Sequence, residues 1–278
     1  MNNFTDFWQH IPEHINPNII AIGQFQIRYY GMMYIVAFAI VYLLVIKRVK
    51  GEGFSFTKET IQDAFVWMIV GLMAGGRLGY VLFYNLNYYL SHPLEIFLPF
   101  SFENGIQFIG IAGMSYHGGL VGLITAALLF CRKRKIDFWY FTDLFAPVAP
   151  LGYTFGRIGN FINGELYGRE TTAAWGMYFP LDSDTLLRHP SQLYEAFFEG
   201  LILFIILWSV RKKSPFNGFL LSLYLIGYGL VRFVIEFFRQ PDPQLGFILG
   251  PLSMGQALCL TMIICGAAIY FIRSGSKA

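Results

Sequence analysis

Charge is scarce in this sequence. Only 13% of its 278 residues are Asp, Glu, Lys or Arg, against about 25% in an ordinary soluble domain. A chain so poor in charge cannot cover a sphere of its own size with polar surface. A nucleic-acid-binding chain would carry far more charge, so no nucleic-acid partner is expected. Cysteine is nearly absent. Cys131, Cys259 and Cys265 are too few and too scattered for a disulfide framework or a metal cage. The first 25 residues lack the apolar core of a cleavable signal, because Asp6, Pro12, Glu13 and Pro17 interrupt them. Alternating ten-residue strands of a membrane barrel are missing as well. What is plentiful is apolar surface: 55% of residues are hydrophobic and 18% aromatic. An outer surface facing lipid accommodates that composition.

A spanning helix needs about 20 mostly apolar residues. Seven segments qualify: Tyr29–Ile46, Ala64–Tyr84, Ile106–Cys131, Phe138–Ile162, Ser191–Val210, Phe219–Phe238 and Phe247–Ile272. The expected fold is therefore all-α, a polytopic membrane protein built as a seven-transmembrane-helix bundle. With short linkers and no internal repeat, residues 1–278 read as a single membrane-embedded domain. Its outer loops fall at about 85–105 and 163–190, and residues 1–28 read as an outer interfacial segment. Orientation follows from the loop cations. Lys47, Arg48, Lys50 and Lys58 follow the first segment, and Arg132, Lys133, Arg134 and Lys135 the third. Arg211, Lys212 and Lys213 follow the fifth, and Arg273 and Lys277 the seventh. Every lysine in the chain lies on this one side, which is read as cytoplasmic. The N-terminus is then outside and the C-terminus cytoplasmic.

The remaining basic residues are all arginines: Arg28, Arg77, Arg157, Arg169, Arg188, Arg232 and Arg239. All fall in the outer half of a segment or in an outer loop, where topology alone would remove them. Arginine presents a planar fork suited to phosphate and stays charged when desolvated. An anionic ligand, most simply a phosphate, accounts for the set; pairing with nearby carboxylates is the structural alternative. Ionisable groups within spans are costly and point to function. Arg77, Arg157, Arg232, Glu195 and Glu199 converge at one depth from four segments. Asp143, near the cytoplasmic end, reads as structural.

Three stretches concentrate chemistry. In 156–169 (GRIGNFINGELYGR) Arg157 and Asn160 share a helical face, and glycines including Gly168 permit close backbone approach. In 114–120 (MSYHGGL) His117 is the only histidine inside a predicted span; a neutral imidazole there accepts or relays a proton, or serves a structural hydrogen bond. In 232–242 (RFVIEFFRQPD) Arg232, Glu236 and Arg239 fall on one helical stripe, with Glu236 able to bridge the two arginines. Tyr30, beside Tyr29, opens the first segment, as a belt aromatic or as a donor to a headgroup.

These stretches, with YGMMY at 30–34, GGRLGYVLFYN at 75–85 and RHPSQLYE at 188–195, resemble the bacterial prolipoprotein diacylglyceryl transferases from about Ile27 to Gln256. The resemblance implies transfer of the diacylglyceryl group of phosphatidylglycerol to the lipobox cysteine thiol of a preprolipoprotein. A thioether forms and glycerol phosphate leaves. It implies that Arg157 binds the phospholipid headgroup with Asn160 and Gly168 beside it, and that Arg232 and Glu236 are a second functional arginine and its partner. Arg239 corresponds to a third basic position, His117 to the histidine proposed as base, and Tyr30 to a functional tyrosine. Arg77 is taken with the headgroup set. The loop between Arg169 and Arg188 is shorter than in many members. No cofactor and no metal are implied; the partners are phosphatidylglycerol, the preprolipoprotein signal peptide and the lipid bilayer. A transporter or anion channel using the same arginines would need polar inner halves, which the helices lack apart from Asp143.

Overall fold

The computed structural model describes residues 3–22, 25–98, 100–101, 107–108, 113–240, 247–249 and 252–275. The chain starts with two short helices, α1 (Asn3–Gln9) and α2 (Ile11–His14). An antiparallel hairpin follows, β1 (Asn18–Ile22) with β2 (Phe25–Arg28). Next come α3 (Tyr29–Gly51), α4 (Lys58–Tyr84), α5 (Leu86–Ser91), the strand pair β3 (Phe100–Ser101) and β4 (Gln107–Phe108), and α6 (Tyr116–Arg134). α7 (Phe138–Phe145) and α8 (Ala149–Ile162) lead into the loop 163–190. A continuous helix over Ser191–Lys213 then contains α9 (Ser191–Tyr194), a π-helical stretch (Glu195–Ile202) and α10 (Leu203–Val210). α11 (Phe219–Ile235), the strands β5 (Phe247–Leu249) and β6 (Leu252–Ser253), and α12 (Met254–Gly275) complete the order. The protein is thus mostly helical, with three short antiparallel strand pairs among the described residues. Among the described residues α3, α4, Ser191–Lys213 and α12 are each long and apolar enough to cross a membrane; α11 is a shorter apolar helix. Large apolar side chains such as Ile35, Val66, Phe83, Ile264 and Phe271 stand exposed along them, as a lipid-facing surface requires.

Several boundaries differ from expectation, each for a local reason. The third segment was expected to be helical from Ile106. Instead Gln107–Phe108 is a strand, and the helix starts at Tyr116, where the Ser115 hydroxyl caps Gly118 N at 3.2 Å. Ile106 and residues 109–112 lie outside the described residues. His117 consequently sits in the first turn of α6. The fourth segment breaks at 146–148: Pro147 cannot continue α7, and Pro150 sits in the opening turn of α8. The sixth ends at Ile235, not Phe238, as Phe237 and Phe238 bond back only three residues. Arg239 therefore leaves the expected stripe and bridges Gly168 in extended form. The seventh begins at Met254, because Phe247–Leu249 and Leu252–Ser253 pair as strands. Residues 241–246 and 250–251, with Pro241 and Asp242 of the third motif, lie outside the described residues.

Two compact units form, residues 54–141 and residues 1–53 with 142–278. In the smaller unit α4 and α6 meet along glycines. A Cβ on Gly79 would come 2.7 Å from the Gly118 Cα, and one on Gly75 2.7 Å from the Gly122 Cα. Small residues four apart let two backbones touch where dispersion drives association. The glycines flanking His117 thus serve packing.

In the larger unit the end of α3 is tied to the end of α7 by Arg48. Its Nη1 donates to the carbonyls of Asp143 (2.7 Å) and Leu144 (2.6 Å), and its Nε pairs with Glu52 at 2.8 Å. Asp143 in turn accepts from Gly218 N (2.8 Å) and Leu221 N (3.0 Å), satisfying the start of α11. Asp143 is structural, as its position suggested. At the other end Phe161, Met177 and Phe179 form a small core covered by Trp8, Ile11 and Ile15. The N-terminal helices therefore lie on the loop 163–190.

Candidate active site

The π-helical stretch sets the geometry. Its i→i+5 bonding widens the turn, and the Ala196 carbonyl is taken by Thr154 Oγ1 of α8 at 3.2 Å. Glu195 and Glu199 then both face α8 and α11. Both are completely buried. An unpaired carboxylate there would be very costly, so each must be met by cations and donors.

Glu195 is the hub. Its Oε2 lies 2.7 Å from Arg157 Nε and 2.8 Å from Arg232 Nη1, and its Oε1 is 3.9 Å from Arg239 Nε. Glu199 Oε1 is 3.4 Å from Arg232 Nη1. Glu236 Oε2 stands 3.4 Å from Arg232 Nη2 and 3.9 Å from Arg239 Nη1, while its Oε1 accepts from the Ser253 hydroxyl at 3.2 Å. Tyr153 places its ring under the Arg157 guanidinium, 4.8 Å from centroid to Cζ. Three arginines and three glutamates thus share one buried cluster, with an aromatic face fixing the first arginine.

Arg157 also donates to Asn160 Oδ1 at 3.3 Å, and Asn160 Nδ2 donates to Glu165 Oε1 at 2.8 Å. The chain 163–169 is held by Gln192 Nε2 on the Glu165 carbonyl (2.7 Å) and Ser191 Oγ on the Leu166 carbonyl (3.0 Å). Gly168 N bonds the His189 carbonyl at 2.8 Å, and Arg169 Nε bonds the Arg239 carbonyl at 2.9 Å. A Cβ on Gly168 would overlap the Phe238 carbonyl oxygen and come 2.8 Å from the His189 backbone oxygen. Gly168→Ala is therefore expected to push the Arg239 segment away and abolish most activity while the helices remain intact. Transfer assays alongside circular dichroism check this; normal activity would show that the close approach is dispensable.

The expected residues are distributed as follows. Arg157, Asn160, Arg232, Glu236, Arg239 and Gly168 come together in the larger unit. Tyr30 belongs to the same unit: its ring would lie 3.1 Å from a Cβ at Gly159, and its hydroxyl meets that of Tyr34 at 3.0 Å. Arg77 and His117 belong to the smaller unit. Arg77 directs Nε to the Ile96 carbonyl (2.8 Å), Nη1 to the Gly113 carbonyl (3.3 Å) and Nη2 to the Glu95 carbonyl, and lies over Tyr89. These contacts fix a loop. The His117 ring is exposed, with the Tyr116 ring edge-on at 5.6 Å. Arg188, in the loop 163–190, is bidentate to Asp182 at 2.7 and 3.0 Å. Burial raises the Asp182 carboxyl, but the Arg188 bonds outweigh it and hold the group below the usual carboxylate range. Sequence reasoning left Tyr153 and Glu165 unmentioned and gave Glu195 and Glu199 no specific role. The partners of Tyr153, Glu195 and Glu199 are remote in the chain, so only the fold reveals them, whereas Glu165 meets Asn160 only five residues away.

One buried donor of the cluster is left over. Arg239 Nε is buried without a hydrogen-bond acceptor, and both its carboxylate contacts are beyond hydrogen-bond reach. A buried guanidinium with spare donors beside two others suits an oxyanion ligand. The fold and site thus define a mostly helical membrane protein with a buried arginine–glutamate cluster between α8, the π-helical stretch and α11. The prolipoprotein diacylglyceryl transferase family model matches residues 17–272. The chain is 57% identical over 270 residues to a phosphatidylglycerol–prolipoprotein diacylglyceryl transferase of Chlorobaculum tepidum, covering 97% of this chain and 93% of the relative. It is 46% identical over 270 residues to the enzyme of that name from Desulfotalea psychrophila, covering 95% of each. It is 45% identical over 267 residues to that of Campylobacter jejuni, covering 95% and 96%. The chain belongs to the prolipoprotein diacylglyceryl transferase family and is a transferase.

Proposed function

We propose that this chain moves the diacylglyceryl group of phosphatidylglycerol onto the lipobox cysteine of a preprolipoprotein, working as one membrane-embedded domain in the bacterial inner membrane. The observation that carries this reading is the convergence of Arg157, Arg232 and Arg239 on Glu195, with the buried Arg239 Nε left without an acceptor. The thiolate sulfur attacks the glycerol carbon that bears the phosphate. A C–S bond forms, the C–O bond breaks with its electron pair on the phosphate oxygen, and glycerol phosphate leaves. Arginines aimed at that oxygen stabilise the charge as it develops. Arg157 takes the headgroup phosphate together with Arg239, while Arg232 and Glu236 hold the cluster in register. Asn160 and Gly168 shape its floor, and Tyr30 borders the lipid. Arg77 contributes through the loop it fixes. His117 accepts the thiol proton; its exposure leaves the ring open to an incoming peptide. The test is to incubate purified protein with phosphatidylglycerol and a lipobox peptide and weigh the peptide. A gain of one diacylglyceryl mass, with glycerol phosphate released one for one, is expected. An unmodified peptide would reject the reading.

The same proposal has seven spans, the N-terminus outside, the C-terminus cytoplasmic and the site towards the outer face. It rests on the one-sided lysines of the loops. A cysteine placed at Asn3 is expected to react with an impermeant thiol reagent in intact spheroplasts, and one at Ser276 is not. The reverse labelling would invert the orientation.

A further inference from the structure

Tyr153 has one hydroxyl proton and faces two buried carboxylates. Its oxygen lies 2.6 Å from Glu199 Oε2 and 3.0 Å from Glu195 Oε2. A phenol donates a single hydrogen bond. Two such close oxygen contacts therefore call for a second proton on one of the glutamates, since lone pairs facing each other at that distance repel. The glutamates differ in which can hold it. Glu195 Oε2, the atom nearest Tyr153, already takes Arg157 Nε at 2.7 Å and Arg232 Nη1 at 2.8 Å. A proton there would compete with two cations. Glu199 meets a single arginine nitrogen, 3.4 Å away through its other oxygen, and that nitrogen is nearer to Glu195. The remaining neighbours are Tyr228 beside Tyr153, Glu236 and Arg239 past the end of α11, and the buried Cys259 of α12. None places a second cation within ion-pair distance of Glu199.

The charge count favours the same assignment. Arg157, Arg232 and Arg239 bring three positive charges, and Glu195 and Glu236 offset two. A neutral Glu199 leaves the cluster one net positive charge, matching the single negative charge of a phosphodiester. An ionised Glu199 leaves it none.

We propose that Glu199 is a positioning residue that carries a proton at neutral pH, donating to Tyr153, which donates to Glu195, so that the arginine cluster keeps one net positive charge for the headgroup phosphate. This deepens the proposed phosphatidylglycerol reading and rests on it. The π-helical stretch gives it a structural basis, because it brings both glutamates to the same phenol.

Infrared spectroscopy of the full chain in detergent at neutral pH tests the proton directly. The wild-type spectrum minus that of Glu199→Gln is expected to show the carbonyl band of a protonated carboxylic acid. Kinetics test its use. In the wild type the KM for phosphatidylglycerol is expected to rise at alkaline pH, as Glu199 ionises and cancels the positive charge. Glu199→Gln, which keeps the shape and cannot ionise, removes that rise and retains more transfer than Glu199→Leu, whose KM is raised roughly tenfold at every pH. Absence of the acid band, or a wild-type rise of KM persisting in Glu199→Gln, overturns the proposal. An acid band in a protein that transfers nothing from phosphatidylglycerol leaves the proton assigned but rejects the phosphate reading beneath it, so the two failures are separable.

Discussion

Arg157→Lys is expected to lower diacylglyceryl transfer roughly 30- to 1000-fold, a loss of about 2–4 kcal/mol of transition-state stabilisation. The reason is geometric. Arg157 spends Nε on Glu195 and Nη1 on Asn160, rests its plane on Tyr153, and still has a terminal nitrogen for a ligand. An ammonium cannot satisfy Glu195 and a phosphate from one fixed position while stacking on a ring. The loss should fall mainly on kcat/KM and persist at saturating peptide. Arg188→Lys is the matching control: that arginine is bidentate to Asp182 in the loop 163–190, so its loss lowers thermal stability more than rate. Near-normal transfer by Arg157→Lys would show that the fixed fork of Arg157 between Glu195 and the phosphate is dispensable.

His117→Gln is expected to abolish most transfer at pH 7 and recover part of it near pH 9. A free thiol has a pKa of about 8.5, so alkaline solution supplies the thiolate that the imidazole is proposed to generate. The pH–rate profile of purified protein with a lipobox peptide checks this. A moderate loss with an unchanged profile would mean that the arginines alone lower the thiol pKa and that His117 only hydrogen-bonds the substrate. A profile unchanged in height and shape would return His117 to a structural role at the start of α6.

Local chemistry was legible in the sequence where partners are close in the chain. Arg157 and Asn160, three residues apart, do meet, and Glu236 does reach both Arg232 and Arg239. Apolar runs also located the helices α3, α4 and Ser191–Lys213. Hydropathy failed where a short hairpin is as apolar as a helix. Gln107–Phe108 and Phe247–Leu249 read as helical extensions and are strands. The break between α7 and α8 was marked by Pro147 and Pro150, a signal that span length overrode. The π-helical stretch has no sequence pattern of its own. Tyr153 meets Glu199 across 46 residues, and such a pairing exists only once α8 and the π-helical stretch have packed. Arg77 looked like its fellow outer arginines, yet its donors reach loop carbonyls that composition cannot reveal.

The arginine cluster's grip on the lipid phosphate is tested most directly by phosphorus NMR of phosphatidylglycerol in detergent micelles titrated with purified protein. Wild-type protein is expected to shift and broaden the headgroup resonance saturably at one lipid per chain, and Arg157→Lys to weaken that effect at least about tenfold. A resonance that wild-type protein leaves unmoved, or that both proteins move alike, would contradict a phosphate site built on Arg157, Arg232 and Arg239.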